Sequence, residues 1–297
     1  MEIRHPKPAD ADAIYELVAE LDTRVLGRPD MTPADVRDQL TEPDFDPATD
    51  GWLAFDGDRL VGWAWACRKG GSDRVDIDVR IRTAEAEEAL WAKVLGRFTG
   101  VTADIGIHAR DTAQREAARA RGFAPATSFH RMRVDHDGMA APAFLPGVTV
   151  TAGSGDDEEL LRAAHAVKEE AFTEHFGNVP QTFEEWADAR EASSAHDWGQ
   201  VLVAKAHGAP AAMLVGTNHF VPDENCGYVL TLAVRPAFRG RGLGKLLLRR
   251  AFEADWRRGR TGTILHVDSN NTTPALGLYL SVGMRQVLSI DIWQRSL

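Results

Sequence analysis

The sequence predicts an α/β protein of the α+β kind, arranged as two tandem domains. Three observations carry this expectation. At 297 residues the chain is too long for one compact domain and suits two of roughly 150 each. Between Val134 and Glu159 a strand-like end gives way to small residues and prolines, then to a new strand and an acidic helix start. The elements on either side run in one order: strand, helix, helix, three strands, helix, strand, helix, strand. The expected division is therefore a first domain over 1–138, a linker over 139–147 and a second domain over 148–297.

In the first half a short strand at Glu2–Arg4 precedes "PADADAIYELVAELD", where Ile14, Leu17, Val18 and Leu21 recur at helical spacing. Next comes "TPADVRDQLTE", a second helix with a threonine cap and proline at its first position. "GWLAFDGDRLVGWAWACRKG" reads as a hairpin across Asp56-Gly57-Asp58. "RVDIDVRIR" alternates as a strand, "AEAEEALWAKVLGRF" is helical, "VTADIGIHA" a strand, "DTAQREAARARGF" a helix and "TSFHRMRVD" a closing strand. The second half repeats this with "GVTVTA", "DDEELLRAAHAVKEEAF" and "PQTFEEWADAREA", the last opened by a Thr182/Glu185 capping box. A hairpin over His207-Gly208 follows, then the strand "GYVLTLAVRP", the helix "GKLLLRRAFEADWRRG", the strand "TILHVDS", the helix "TPALGLYLSVGM" and the strand "RQVLSIDIWQRS".

Composition narrows the function. Hydrophobic content of 44% and charged content of 26% are ordinary for a soluble globular protein. The N-terminus carries no apolar signal region and no stretch is long enough to span a bilayer, so a cytoplasmic location without a membrane partner is expected. Cys67 and Cys226 lack any metal-binding or disulfide spacing, so no metal site is expected. A net charge of −10 argues against general nucleic-acid affinity. Against that background, the segment from Arg235 to Arg260 holds eight arginines and one lysine beside only Glu253 and Asp255. A local basic cluster has a local purpose, either an anion to bind or a solvated helix face.

Gly240, Gly242 and Gly244 in "RGRGLG" fit neither the dinucleotide fingerprint nor the P-loop spacing. They still lie where a strand feeds a helix, so amides from Arg239 to Gly244 can converge on a diphosphate at the helix N-terminus, with Arg239, Arg241 and Lys245 framing it. "VRPAFRGRGLGKLLL" further resembles motif A of the GCN5-related N-acetyltransferases, whose Arg/Gln-x-x-Gly-x-Gly/Ala pattern is met by Arg239, Gly242 and Gly244. "NNTTPALGLYLSVGM" resembles motif B, through Asn271, Leu278, Tyr279, Gly283 and Met284. The tandem arrangement and "EAFTEHFGNVPQTFEEW" resemble the two-domain acetyltransferases that include mycothiol synthase.

This resemblance implies a central, mostly antiparallel mixed sheet flanked by helices in each domain, and an acetyl-CoA site in the second. The loop Arg239, Gly240, Arg241, Gly242, Leu243, Gly244 and Lys245 would hold the phosphates, with Asn271 from motif B. Pantetheine would lie along Leu232, Ala233 and Val234, and the acetyl carbonyl would take a strand N–H near Leu232. Tyr279 matches the family's usual proton donor. Where many relatives place a glutamate base, about eleven residues before the first motif A residue, this chain has Tyr228. A phenol with an ordinary pKa near 10 is a poor base at neutral pH. Glu224, then Asp223 and His219, are the nearby alternatives acting through a water that Thr231 orders.

Glu170, Glu174, His175, Phe176 and Trp186 are the candidates for lining the acceptor cleft, although core packing explains the aromatic ones equally well. In the first half, "RIRTAEAEEALW" stands where the glycine loop should be, with Glu85, Glu87 and Glu88 in place of glycines, and Ala118 stands four residues before Gly122 where Tyr279 precedes Gly283. The expected protein is an acetyl-CoA-dependent N-acetyltransferase, acting on the primary amine of a small molecule by direct attack, with a degenerate first domain and a monomeric or homodimeric state. The rival expectations are a CoA-binding regulatory module without turnover and an acetyltransferase of proteins or peptides.

Overall fold

A computed structural model of the chain describes residues 1–68, 70–138, 144–173, 179–269 and 275–297. It divides into two units, Met1–Ser128 with Ser289–Leu297, and Phe129–Leu288. The first unit begins with β1 (Glu2–Arg4), α1 (Ala11–Leu26), α2 (Pro33–Gln39) and the short α3 (Pro47–Asp50). Helix α1 stops at Gly27, whose φ of 83° is left-handed, and α2 starts at Thr32 with its hydroxyl accepting from the Asp35 amide. The strands β2 (Gly51–Asp56), β3 (Arg59–Arg68) and β4 (Arg74–Ile81) then pair antiparallel in sequence, with β1 on the edge of β2. After α4 (Ala84–Leu95), β5 (Thr102–His108) lies parallel to β4, and α5 (Thr112–Ala120) and β6 (Ala124–Asp135) follow.

The second unit repeats the plan. It contains β7 (Val148–Ala152), α6 (Glu158–Ala171), α7 (Phe183–Glu191), β8 (Val201–Ala206), β9 (Ala209–Thr217), α8 (Val221–Glu224), β10 (Cys226–Val234), α9 (Leu243–Arg257), β11 (Gly262–Asp268) and α10 (Ala275–Ser281), and only the first residues of β12 (Arg285–Ser296). Strands β7 to β10 are antiparallel neighbours, and β11 is parallel to β10. The β8–β9 hairpin turns through His207 at φ 49° and Gly208 at φ 84°. Helices cover both faces of the strands in each unit: α1 with α2 and α4 with α5 in the first, α6 with α7 and α9 with α10 in the second.

The units do not follow a linear cut at residues 139–147, because the closing strands are exchanged. Residues 129–135 of β6 pair antiparallel with β11 in the second unit, from Phe129↔Asp268 to Asp135↔Gly262. Residues 290–296 of β12 pair with β5 in the first unit, from Ile290↔His108 to Ser296↔Thr102. Packing fixes the exchange: Met132 is fully buried against Leu243, Leu247 and Leu265, and Trp293 is buried in the first unit's core with Ile105 and Ala118. Residues 139–143 of the expected linker lie outside the described residues. Among the described residues no helix is long and apolar enough to cross a membrane.

Candidate active site

Strand β10 is positioned to open a slot in its own sheet. Its parallel ladder with β11 runs only from Cys226↔Gly262 to Val229↔Leu265, while both strands continue further. On its other edge β10 stays bonded to β9, with a register shift between Val229 and Thr231 that marks a bulge. Alternate backbone groups of Leu230–Val234 are thereby left without a strand partner on the β11 side. A cavity of ≈ 570 Å³ occupies this opening.

Its walls come from both sides of the splay. Leu232, Ala233 and Val234 run along one wall, Leu265 to Asp268 along the other, and Ala275, Leu278 and Tyr279 of α10 close it. At one end the cavity meets Arg239, Gly240, Gly242, Leu243, Gly244 and Lys245. Gly240 and Gly242 are left-handed, at φ 75° and 82°, and Gly242 caps α9 without a side-chain bond. The first-turn amides of α9 therefore lack a helical acceptor and carry the positive end of the helix. Gly244 serves a different purpose, since a Cβ there would come within 3.0 Å of Leu278. Arg239 spans the loop mouth, donating to the carbonyls of Val234 (3.2 Å) and Ala171 (3.1 Å). Arg241 is outside the wall, with its guanidinium over the Phe238 ring. Asn271 lies outside the described residues.

Tyr279 sits in the wall, 8% exposed. Burial pushes its phenol up to about 12, so it is a protonated donor at neutral pH. Tyr228 lines the same cavity, and burial likewise raises it to about 12. Its hydroxyl lies 2.9 Å from His266 Nδ1, and His266 Nε2 accepts from Arg131 Nε at 3.1 Å.

Glu224 is not a free carboxylate at the cavity mouth. Its side chain is 9% exposed and held by Arg133 at 2.8 Å and Arg131 at 3.8 Å. Neither Glu224, Asp223 nor His219 is part of the cavity wall; Asp223 is exposed, and the His219 ring packs edge-on against Phe220.

Among the expected acceptor-lining residues, Trp186 is corrected to a core residue. It is fully buried beside Leu160, Val201 and Met213, with Trp198 and the Arg190 guanidinium on its ring. Glu170 is exposed and ion-paired with Arg235 at 3.1 Å, away from the wall. Glu174, His175 and Phe176 lie outside the described residues. Wall residues that sequence reading did not single out include Phe129, His266 and Asp268. His266 and Asp268 carried a weak signal, as polar alternates in an apolar strand; Phe129 carried none, because it belongs by sequence order to the first half.

The profile of the Acetyltransferase (GNAT) family matches residues 163–284, which include the slot, the glycine loop and Tyr279. A mycothiol acetyltransferase of Nocardioides sp. is 30% identical over 258 residues, covering 78% of this chain and 84% of its own. The crystal structure of a GCN5-related N-acetyltransferase from Sphaerobacter thermophilus superposes with a TM-score of 0.81 at 23% identity, covering 99% of this chain and 95% of that one. A tandem GNAT protein of the clavulanic acid biosynthesis pathway does so with a TM-score of 0.77 at 17% identity, covering 99% and 98%. With a splayed sheet, a glycine-capped helix and relatives of this kind, the chain belongs to the GNAT family of acetyltransferases.

Proposed function

We propose that the second unit binds acetyl-CoA in the β10–β11 slot and transfers the acetyl group to the primary amine of a small molecule, while the first unit does neither. The observation that carries this reading is the junction of three features on one cavity: an open strand edge, a glycine-capped helix N-terminus with no side chain bonded to its amides, and a buried phenol. The fit to the co-substrate is chemical. First-turn amides of α9 with Arg239 and Lys245 suit a diphosphate, the open edge of Leu232–Val234 suits an amide-bearing arm, and an apolar wall suits a thioester. The relatives' name, mycothiol acetyltransferase, supports a small-molecule acceptor.

In the reaction the amine nitrogen attacks the thioester carbonyl, a C–N bond forms and the C–S bond breaks. The unpaired β10 amides donate to the developing oxyanion in this reading. Tyr279 Oη holds the proton that the departing thiolate takes, its burial keeping that proton in place at neutral pH, while the proton shed by the nitrogen goes to solvent water, from which Tyr279 is reprotonated. Thermal shift with acetyl-CoA, followed by thiol release across a panel of primary amines, tests the reading. Stabilisation with release on at least one amine is expected. Stabilisation with release on none identifies a binding module instead.

A further inference from the structure

Tyr228 stands where a general base would be sought, and three strands determine what its phenol can do. Arg131 of β6 lies opposite His266 of β11 in their ladder, and its Nε donates to His266 Nε2 at 3.1 Å. A guanidinium has no acceptor atom, so Nε2 is the bare ring nitrogen and the imidazole proton sits on Nδ1. That proton points at Tyr228 Oη, 2.9 Å away, so the phenol oxygen accepts. Glu224 and the Phe220 ring, 4.6 Å beneath the guanidinium, hold Arg131 from the far side. The phenol's own proton then has no acceptor among the described residues, and Tyr228 is part of the cavity wall. Around the ring stand His219, His266 and Arg131, with Glu224 behind Arg131, and with Asp255 and Arg258 sharing a small second pocket with residue 228.

Resting on the reading of this unit as an acetyltransferase, we propose that Tyr228 is a substrate-recognition residue: its phenol proton, directed into the cavity by His266 and Arg131, binds a hydrogen-bond acceptor, such as a hydroxyl oxygen, carried beside the nitrogen of the acceptor amine. His266 and Arg131 are positioning residues. The same wiring prevents Tyr228 from passing an ammonium proton onward, because the ring nitrogen facing it already bears hydrogen and the other is occupied by Arg131.

The test compares the full-length chain with Tyr228→Phe, His266→Leu and His266→Asn in thiol release from acetyl-CoA. Ethanolamine and propylamine, which differ in one hydroxyl, are the probes, and acetyl-CoA thermal shift confirms that each variant is folded. The wild-type chain should favour ethanolamine about tenfold in kcat/KM, the worth of one neutral hydrogen bond. Tyr228→Phe and His266→Leu should erase that preference through KM, His266→Asn should restore part of it through its amide N–H, and the acid limb of the pH profile should not move in Tyr228→Phe. A preference that survives Tyr228→Phe, or an acid limb displaced by it, overturns the proposal. If the wild-type chain acetylates no amine of a broad panel, the acetyltransferase reading fails separately. Histidine ¹⁵N NMR of the full chain then still decides the wiring: a bare Nε2 at His266 supports it and a protonated Nε2 overturns it.

Discussion

The two units contain the same parallel strand pair, four residues long in each, and treat its far end in opposite ways. In the first, Arg74↔Thr102 to Ile77↔Ile105 are paired, and β4 continues to Ile81 bonded to β3 without a register shift. Gln114 of α5 donates to Asp78 (3.3 Å) and to the Val79 carbonyl (3.4 Å), and Arg80 binds Asp78 and Asp22. In the second, β10 bulges, and Ala275, which precedes Tyr279 by the same four residues that separate Gln114 from Ala118, leaves the space open. The helix starts differ as well: Thr83, extended at φ −131°, precedes Glu85 and Glu87, whereas Gly242 at φ 82° precedes Lys245. One fold thus supplies the slot, and a handful of side chains decides whether it is filled or available.

The contrast can be broken at its strongest point first. Gly242→Glu combines a left-handed backbone, costing an L-residue on the order of 1–2 kcal/mol, with a carboxylate at the phosphate end. Acetyl-CoA affinity should fall about 100-fold or more in calorimetry, with the circular dichroism spectrum unchanged. Tyr279→Phe comes next, and kcat should drop about 100-fold while the acetyl-CoA Kd stays constant.

Trp293→Ala addresses the exchanged strand, whose indole is 3% exposed in the first unit's core. It should cost about 3–5 kcal/mol. Hydrogen exchange should then rise in Thr102–His108 and not in Gly262–Asp268; the reverse pattern would mean that β12 belongs to the second unit.

Smaller effects sharpen the comparison. Tyr228 and Tyr279 titrate near 12, above the ordinary phenol value of about 10. Unfolded phenols ionise first, so the stability these residues confer is present below pH 10 and lost as pH rises toward 12. Denaturant midpoints measured from pH 9 to 11 should fall, and fall less in Tyr279→Phe. Gln114→Ala should cost the first unit about 1 kcal/mol without adding a second acetyl-CoA site.

The glycine loop, the tyrosine and the repeated plan were legible in the sequence because each is local: three glycines in five residues, one helix, one order of elements. The exchanged strands were not, since "TSFHRMRVD" and "RQVLSIDIWQRS" both alternate and either could close either sheet. That exchange also hid Phe129 and Arg131, which order in the chain assigns to the first half but pairing assigns to the second. Tyr228, His266 and Arg131 lie on three strands far apart in sequence, so only register brings them together. Trp186 illustrates the converse, because an aromatic residue in the first turn of an amphipathic helix reads equally as cleft or core until burial decides it.

Titration of the wild-type chain and of Gly242→Glu with acetyl-CoA tests the division of labour most directly. One equivalent bound per wild-type chain, and none by the variant, is the expected result. Two equivalents, or one that survives in Gly242→Glu, would contradict it by placing a functional site in the first unit.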